Sequence, residues 1–80
     1  MVKTWMKNLA KLDLKLRNRV EFVIWKILIW DLELLDIKKL EWTNDMFRCR
    51  VWDIRIVYYK KEDTIIIKNL DFRWRIYKWY

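Results

Sequence analysis

Apolar and polar positions follow two different periods along the chain, and the change of period divides it into halves. Trp5, Leu9, Leu12 and Leu16 recur at helical spacing, while Lys3, Lys7, Lys11 and Lys15 fall on the opposite side. Asp13 interrupts this run and suits the N-cap of a second helix, because its carboxylate can accept from free amides of the following turn. The second helix presents Leu16, Val20, Val23, Ile24, Ile27 and Leu28 on one side, with Arg17, Arg19, Glu21 and Lys26 on the rest. A helical hairpin is therefore expected. The pattern loosens near Trp30, and residues 31–45 read as a connection with a helical turn at most, ending in an Asn44-Asp45 turn. From Met46 the period becomes two. Met46–Val51 and most of Ile54–Tyr59 alternate, Lys60–Asp63 makes a turn, and Thr64–Leu70 is rich in β-branched residues. Arg73–Tyr80 is read as a short fourth strand. The expected class is α+β: an N-terminal helical hairpin packed on a three- to four-stranded antiparallel sheet, in one domain spanning residues 1–80.

The first hairpin carries candidate chemistry. A two-residue turn at Trp52-Asp53 sets Val51 opposite Ile54, Arg50 opposite Arg55, Cys49 opposite Ile56 and Phe47 opposite Tyr58. Phe47, Cys49, Val51, Ile54, Ile56 and Tyr58 then share an apolar face that packs on the helices. Arg48, Arg50 and Arg55 gather on the other. Like charges directly opposite destabilise a strand pair, whereas a phosphate between two guanidinium groups draws them together. Arg73 and Tyr77 reach the same face if the last segment joins the sheet. Tyr77 is either ordinary packing or a proton acceptor, and its ordinary pKa near 10 suits the second role only beside cations. Cys49 falls on the core face and reads as a small hydrophobe.

Composition narrows the function. Eighty residues carry 18 Lys and Arg against 11 Asp and Glu, a net charge of +7 spread over both halves. A basic compact protein favours polyanionic partners. Gly, Pro, Ser, Gln and His are all missing. Glycine-rich phosphate loops, Ser–His and Cys–His dyads and His-containing zinc sites are thereby excluded. The carboxylates show no metal-loop spacing, so neither a metal nor another cofactor is expected. A lone cysteine allows no internal disulfide, which points to a reducing cytoplasm. The longest apolar stretch, Phe22–Trp30, has nine residues with Lys26 inside, against roughly 20 for a membrane span. No membrane partner is expected, although this stretch offers a route to self-association.

The segments Lys7-Asn-Leu-Ala-Lys-Leu-Asp13, Asp36-Ile-Lys-Lys-Leu-Glu41, Phe47-Arg-Cys-Arg-Val-Trp-Asp-Ile-Arg-Ile-Val-Tyr58, Thr64-Ile-Ile-Ile67 and Phe72-Arg-Trp-Arg-Ile-Tyr77 together resemble the RelE/ParE superfamily of toxins, over about residues 7–79. The resemblance implies a helical hairpin on a twisted antiparallel sheet. It also implies a type II toxin of the RelE kind, cutting mRNA on the ribosome by metal-independent attack of the 2′-hydroxyl. By position, Arg48 and Arg50 match the family's basic residues of the first hairpin strand. Arg55 matches the arginine that stabilises the crowded phosphorane, Arg73 the late phosphate-binding arginine, and Tyr77 the tyrosine that stacks on a base or assists proton transfer. Arg50, Arg55, Arg73 and Tyr77 are thus the expected catalytic set. Arg48, Arg50, Arg75 and Trp74 are the expected RNA- and phosphate-binding residues. The implied partners are a RelB/ParD-like antitoxin and ribosome-bound mRNA, and the alternatives are a ParE-like gyrase inhibitor or an engineered inactive scaffold.

Several positions depart from the family pattern. Only Met1–Trp5 remain for the family's first strand, so that strand is expected to be missing or a stub. Trp42, Trp52 and Trp74 stand where glycine is common, Leu14 where proline is, and Phe72 where histidine is. The chain reads as a family sequence rewritten in a restricted alphabet, and Trp52 in a tight turn implies strain. Trp52 and Trp74, beside the arginines, stand either to block RNA or to stack on its bases.

Overall fold

A computed structural model describes residues 3–41 and 43–76. The elements run α1 (Thr4–Ala10), α2 (Leu14–Leu28), β1 (Asp36–Lys39), β2 (Met46–Val51), β3 (Ile54–Lys61), β4 (Thr64–Phe72) and α3 (Arg73–Ile76). The four strands form one antiparallel sheet in the order β1-β2-β3-β4. The α+β architecture matches the expectation, with two changes in how it is reached.

Asp13 caps α2 as its position suggests, its Oδ1 accepting from the Leu16 amide at 2.9 Å. Val20, Val23, Ile24 and Ile27 are the buried side of that helix, and Leu16 packs at its margin. Leu28, expected on the same side, is exposed. It lies about 100° round the helix from Ile27, on the flank that turns to solvent as α2 ends. That end is a Schellman motif: the Trp30 amide donates to the Ile27 carbonyl at 3.1 Å and the Asp31 amide to the Lys26 carbonyl at 3.0 Å. The residue in the left-handed position is Trp30, at φ 65°. Glycine is the usual occupant because a Cβ is crowded there.

The apolar sheet face meets α2 as derived. Cys49, Val51, Ile54, Ile56, Tyr58, Ile67 and Leu70 join the buried α2 residues and Leu12 in one core, with Phe47 packed against it. Phe47 and Tyr58 stack at 5.6 Å between ring centroids. α1 has no buried residue of its own. It is held by Trp5 and Leu9, which pack on this core, and by Asn8, whose Nδ2 donates to the Leu70 carbonyl at 2.8 Å. The helix begins at Thr4, so among the described residues no strand precedes it.

The first correction concerns residues 31–45, which contain strand β1. Its four residues have one half-buried apolar side chain, Ile37, and the other three are exposed polar residues. Pairing with β2, not a hydrophobic pattern, holds this edge strand, so the sequence showed no alternation to read. Thr43 closes the β1–β2 connection, accepting from the Met46 amide at 3.3 Å and donating to the Leu40 carbonyl at 3.1 Å.

The second correction concerns the end of the chain. β4 continues to Phe72, then the Arg73 amide donates to the Asp53 carbonyl at 2.7 Å, and Arg73–Ile76 form α3 where the start of a strand was expected, the rest of that segment lying outside the described residues. Ile76 on α3 is fully buried with Val57 and Leu40 in a second small core, and Met46 packs against it. The sheet face away from α2 is therefore partly roofed.

Candidate functional site

The β2–β3 register is the one the sequence implies: Val51 pairs with Ile54, Arg50 with Arg55, Cys49 with Ile56 and Phe47 with Tyr58. The turn is a two-residue one with Trp52 at φ 54°. A left-handed backbone at its first residue is what such hairpin turns require, and here a tryptophan adopts it.

On the face away from α2, Arg50 and Arg55 lie in a row that crosses the sheet. Asp36 of β1 pairs with Arg50, and Asp71 of β4 pairs with Arg55, so the register places a carboxylate residue on either flank of the opposed arginines. The next row sets Lys38 beside Arg48. The sequence missed Asp36 and Lys38 as members of this face because it missed β1. Only β1's register could have revealed them.

The expected site residues divide into groups. Arg50 is exposed and Arg48 half-buried. Arg55 keeps the face that the register gives it but is only 8% exposed there. Its Nη1 donates to the Trp52 carbonyl at 2.8 Å and to the Ile54 carbonyl at 3.1 Å, so the guanidinium braces the turn while keeping its charge beside Arg50. Arg73 arrives through α3, its Nε 3.5 Å from Asp53 Oδ1 at the same turn. Among the described residues, Arg48, Arg50, Arg55 and Arg75 form no ion pair. Trp74 is exposed and stacks on Phe72, with centroids 4.7 Å apart and planes 13° apart. Arg75 is not part of the cluster. It lines a small recess with Asn8, Lys11 and Asp71 at the β4 edge, because α3 turns it toward α1. Tyr77 lies outside the described residues, as does Trp42.

Two ionisable groups sit under this face, on the α2 side. Burial, with a smaller contribution from Asp36, pushes the Cys49 thiol up to about 12. Burial and then Cys49 push the Tyr58 phenol up to about 12. Both are neutral near pH 7, and neither belongs to the arginine face. Among the described residues, no group of three Cys, Asp or Glu side chains is placed to hold a metal ion. No helix there is long and apolar enough to cross a membrane.

One basic residue was not singled out by the sequence. Arg19 of α2 lines a depression of about 140 Å³ together with Arg50 and Trp52. In sequence it reads as one of several cations on the outer side of a helix, and only the packing of α2 on the sheet joins it to the hairpin.

No protein-family model and no curated protein matches the chain. Among solved structures, it is similar to a chain of the RelB-RelE antitoxin-toxin complex from Methanococcus jannaschii, with a TM-score of 0.81 and 31% sequence identity. The alignment covers 99% of this chain and 95% of that one. At that coverage the likeness takes in both the helical pair and the antiparallel sheet of this chain. On that identity and coverage, the chain belongs to the RelE-like toxin–antitoxin family.

Proposed function

We propose that the chain is the toxin of a type II pair and acts as a ribosome-dependent mRNA endoribonuclease. The observation that carries this reading is the convergence of Arg50, Arg55 and Arg73 on the Trp52-Asp53 turn, by β-register for the first two and by the α3 dock for the third. In the proposed step the 2′-hydroxyl gives up its proton as its oxygen bonds to the adjacent phosphorus, the bond to the 5′-oxygen breaks, and the leaving 5′-oxygen takes a proton from water. A cyclic phosphate and a 5′-hydroxyl result. Negative charge builds on the phosphoryl oxygens, and cations already fixed beside them stabilise it without rearranging. Arg50, with Arg48 beside it on the strand, contacts the phosphate. Arg55, braced by two carbonyls, supplies a charge whose position is fixed. Arg73 reaches the phosphate after exchanging its exposed Asp53 contact. Tyr77, which follows Ile76 in sequence, is the proposed proton acceptor, a role that the ordinary tyrosine pKa near 10 suits only beside cations.

The proposed partners are ribosome-bound mRNA in the cytoplasm and an antitoxin with an acidic, amphipathic segment. Phe22, Trp25, Leu28 and Ile29 on the outside of α2 offer such a segment an apolar surface. Among the described residues four non-glycine residues stand at positive φ, and one of them, Trp52, is where the family commonly has glycine, which supports the reading of a family sequence rewritten without glycine.

The test is mRNA end mapping in a translation reaction. Arg50→Ala should lower cleavage at the ribosomal A site by about a hundredfold or more while leaving the circular dichroism spectrum unchanged. Undiminished cleavage by a folded Arg50→Ala protein would remove the assignment. Inhibition of gyrase supercoiling in place of mRNA cleavage would move the chain to the ParE-like branch.

A further inference from the structure

The depression that Arg19 shares with Arg50 lies between α2, the start of β1 and the β2–β3 turn. Its floor is apolar, formed by the buried Val23 and Val51. Its polar members are Arg19, Arg50 and Asp36, a net charge of +1. Trp52 and Leu34 also line it, and both are bulky, exposed and held at positive φ, 54° and 69°. Two of the four left-handed residues among those described therefore flank one small cavity. Neither gains core burial in return for its strained backbone. Residues kept in such conformations cluster at ligand clamps.

We infer that this depression is a nucleotide subsite, which seats one base against Trp52 over the apolar floor and the attached phosphate between Arg19 and Arg50. At about 140 Å³ it is well below the roughly 300–1,000 Å³ of pockets for drug-sized ligands, so it takes a single ring system. An indole wall stacks on any base, and a pair of guanidinium groups matches a phosphate in geometry as well as charge. Asp36 adds an acceptor for an exocyclic amino group, which favours bases that carry one. The subsite rests on the RNA-cleavage reading, since it extends the Arg50 phosphate contact to a neighbouring nucleotide. Arg19 is a binding residue in it, not a catalytic one.

Amide NMR spectra of the labelled protein, titrated with GMP, AMP, CMP, UMP, guanosine and inorganic phosphate, test the inference without ribosomes or turnover. At least one nucleotide should shift the amides of Arg19, Leu34–Asp36 and Arg50–Trp52, saturating in the millimolar range. Arg19→Ala and Trp52→Gly should each weaken that binding by about tenfold while the remaining spectrum stays folded. Glycine is chosen because it keeps the turn's left-handed backbone while deleting the indole. Shifts confined to Arg48, Arg55 and Arg73 would overturn the subsite, as would no shift up to about 10 mM or equal affinity for phosphate alone. The cleavage reading is tested separately: codon-phased cleavage that persists while the titration fails leaves the proposed function standing and removes only the subsite.

Discussion

Leu34 is fully exposed, buries nothing and sits at φ 69°. Its backbone conformation costs about 1–2 kcal/mol for a residue with a Cβ. Leu34→Gly should therefore raise stability by about 1 kcal/mol, read as a higher denaturant midpoint at unchanged slope. A lower midpoint would show that the left-handed backbone at this turn is not strained. Trp30→Gly is expected to gain less, because the indole ring also receives Lys60, whose Nζ lies 4.7 Å from the ring centroid. Tyr58 and Cys49 make a second prediction at this scale. Both have a folded pKa raised above the ordinary value, so both stabilise the fold fully below the unfolded pKa and lose that contribution as pH rises toward about 12. Stability should fall from about pH 9 upward. Tyr58→Phe, which cannot ionise, should flatten that fall, and an equally steep profile in the variant would contradict the assignment.

Among the elements, α2 and the β2–β3 hairpin were legible in the sequence, and β1 and α3 were not. The difference is physical. α2 has a capping aspartate and a continuous apolar side, and the hairpin has strict alternation about a two-residue turn. Both signals are local. β1 exists because β2 offers a partner, and α3 exists because Asp53 captures the Arg73 amide and Ile76 finds Val57 and Leu40. Those causes lie 8 to 36 residues away in sequence. The same distinction runs through the site. The opposed arginines were readable from register, whereas the bracing of Arg55 and the approach of Arg19 required packing. Asp13→Ala should cost about 1 kcal/mol by removing the α2 cap, measured by thermal or chemical unfolding. Ile76→Ala should cost about 2–5 kcal/mol from the small core. It should also release Arg73 from the turn, visible as loss of amide protection at Arg73. Retained protection there would show that the Asp53 contact alone docks α3.

At the scale of the whole molecule, the sheet has two faces with different tasks. One closes a core with α2, and the other carries a row of arginines whose turn is fastened by Arg55 from within and by Arg73 from α3. Holding positive charge at a fixed place is costly to a fold and useful to phosphoryl chemistry, and the register sets Asp36 and Asp71 on either flank of it. Net charge of +7 draws the molecule to polyanions in general, so binding to RNA alone does not establish the function. Cleavage position does. The decisive measurement is 3′-end mapping of an mRNA on programmed ribosomes with and without the purified protein. Cuts are expected in phase with the codon in the A site, appearing only on translated message and disappearing with Arg50→Ala. Intact message on actively translating ribosomes, with the protein shown to be folded, would contradict it.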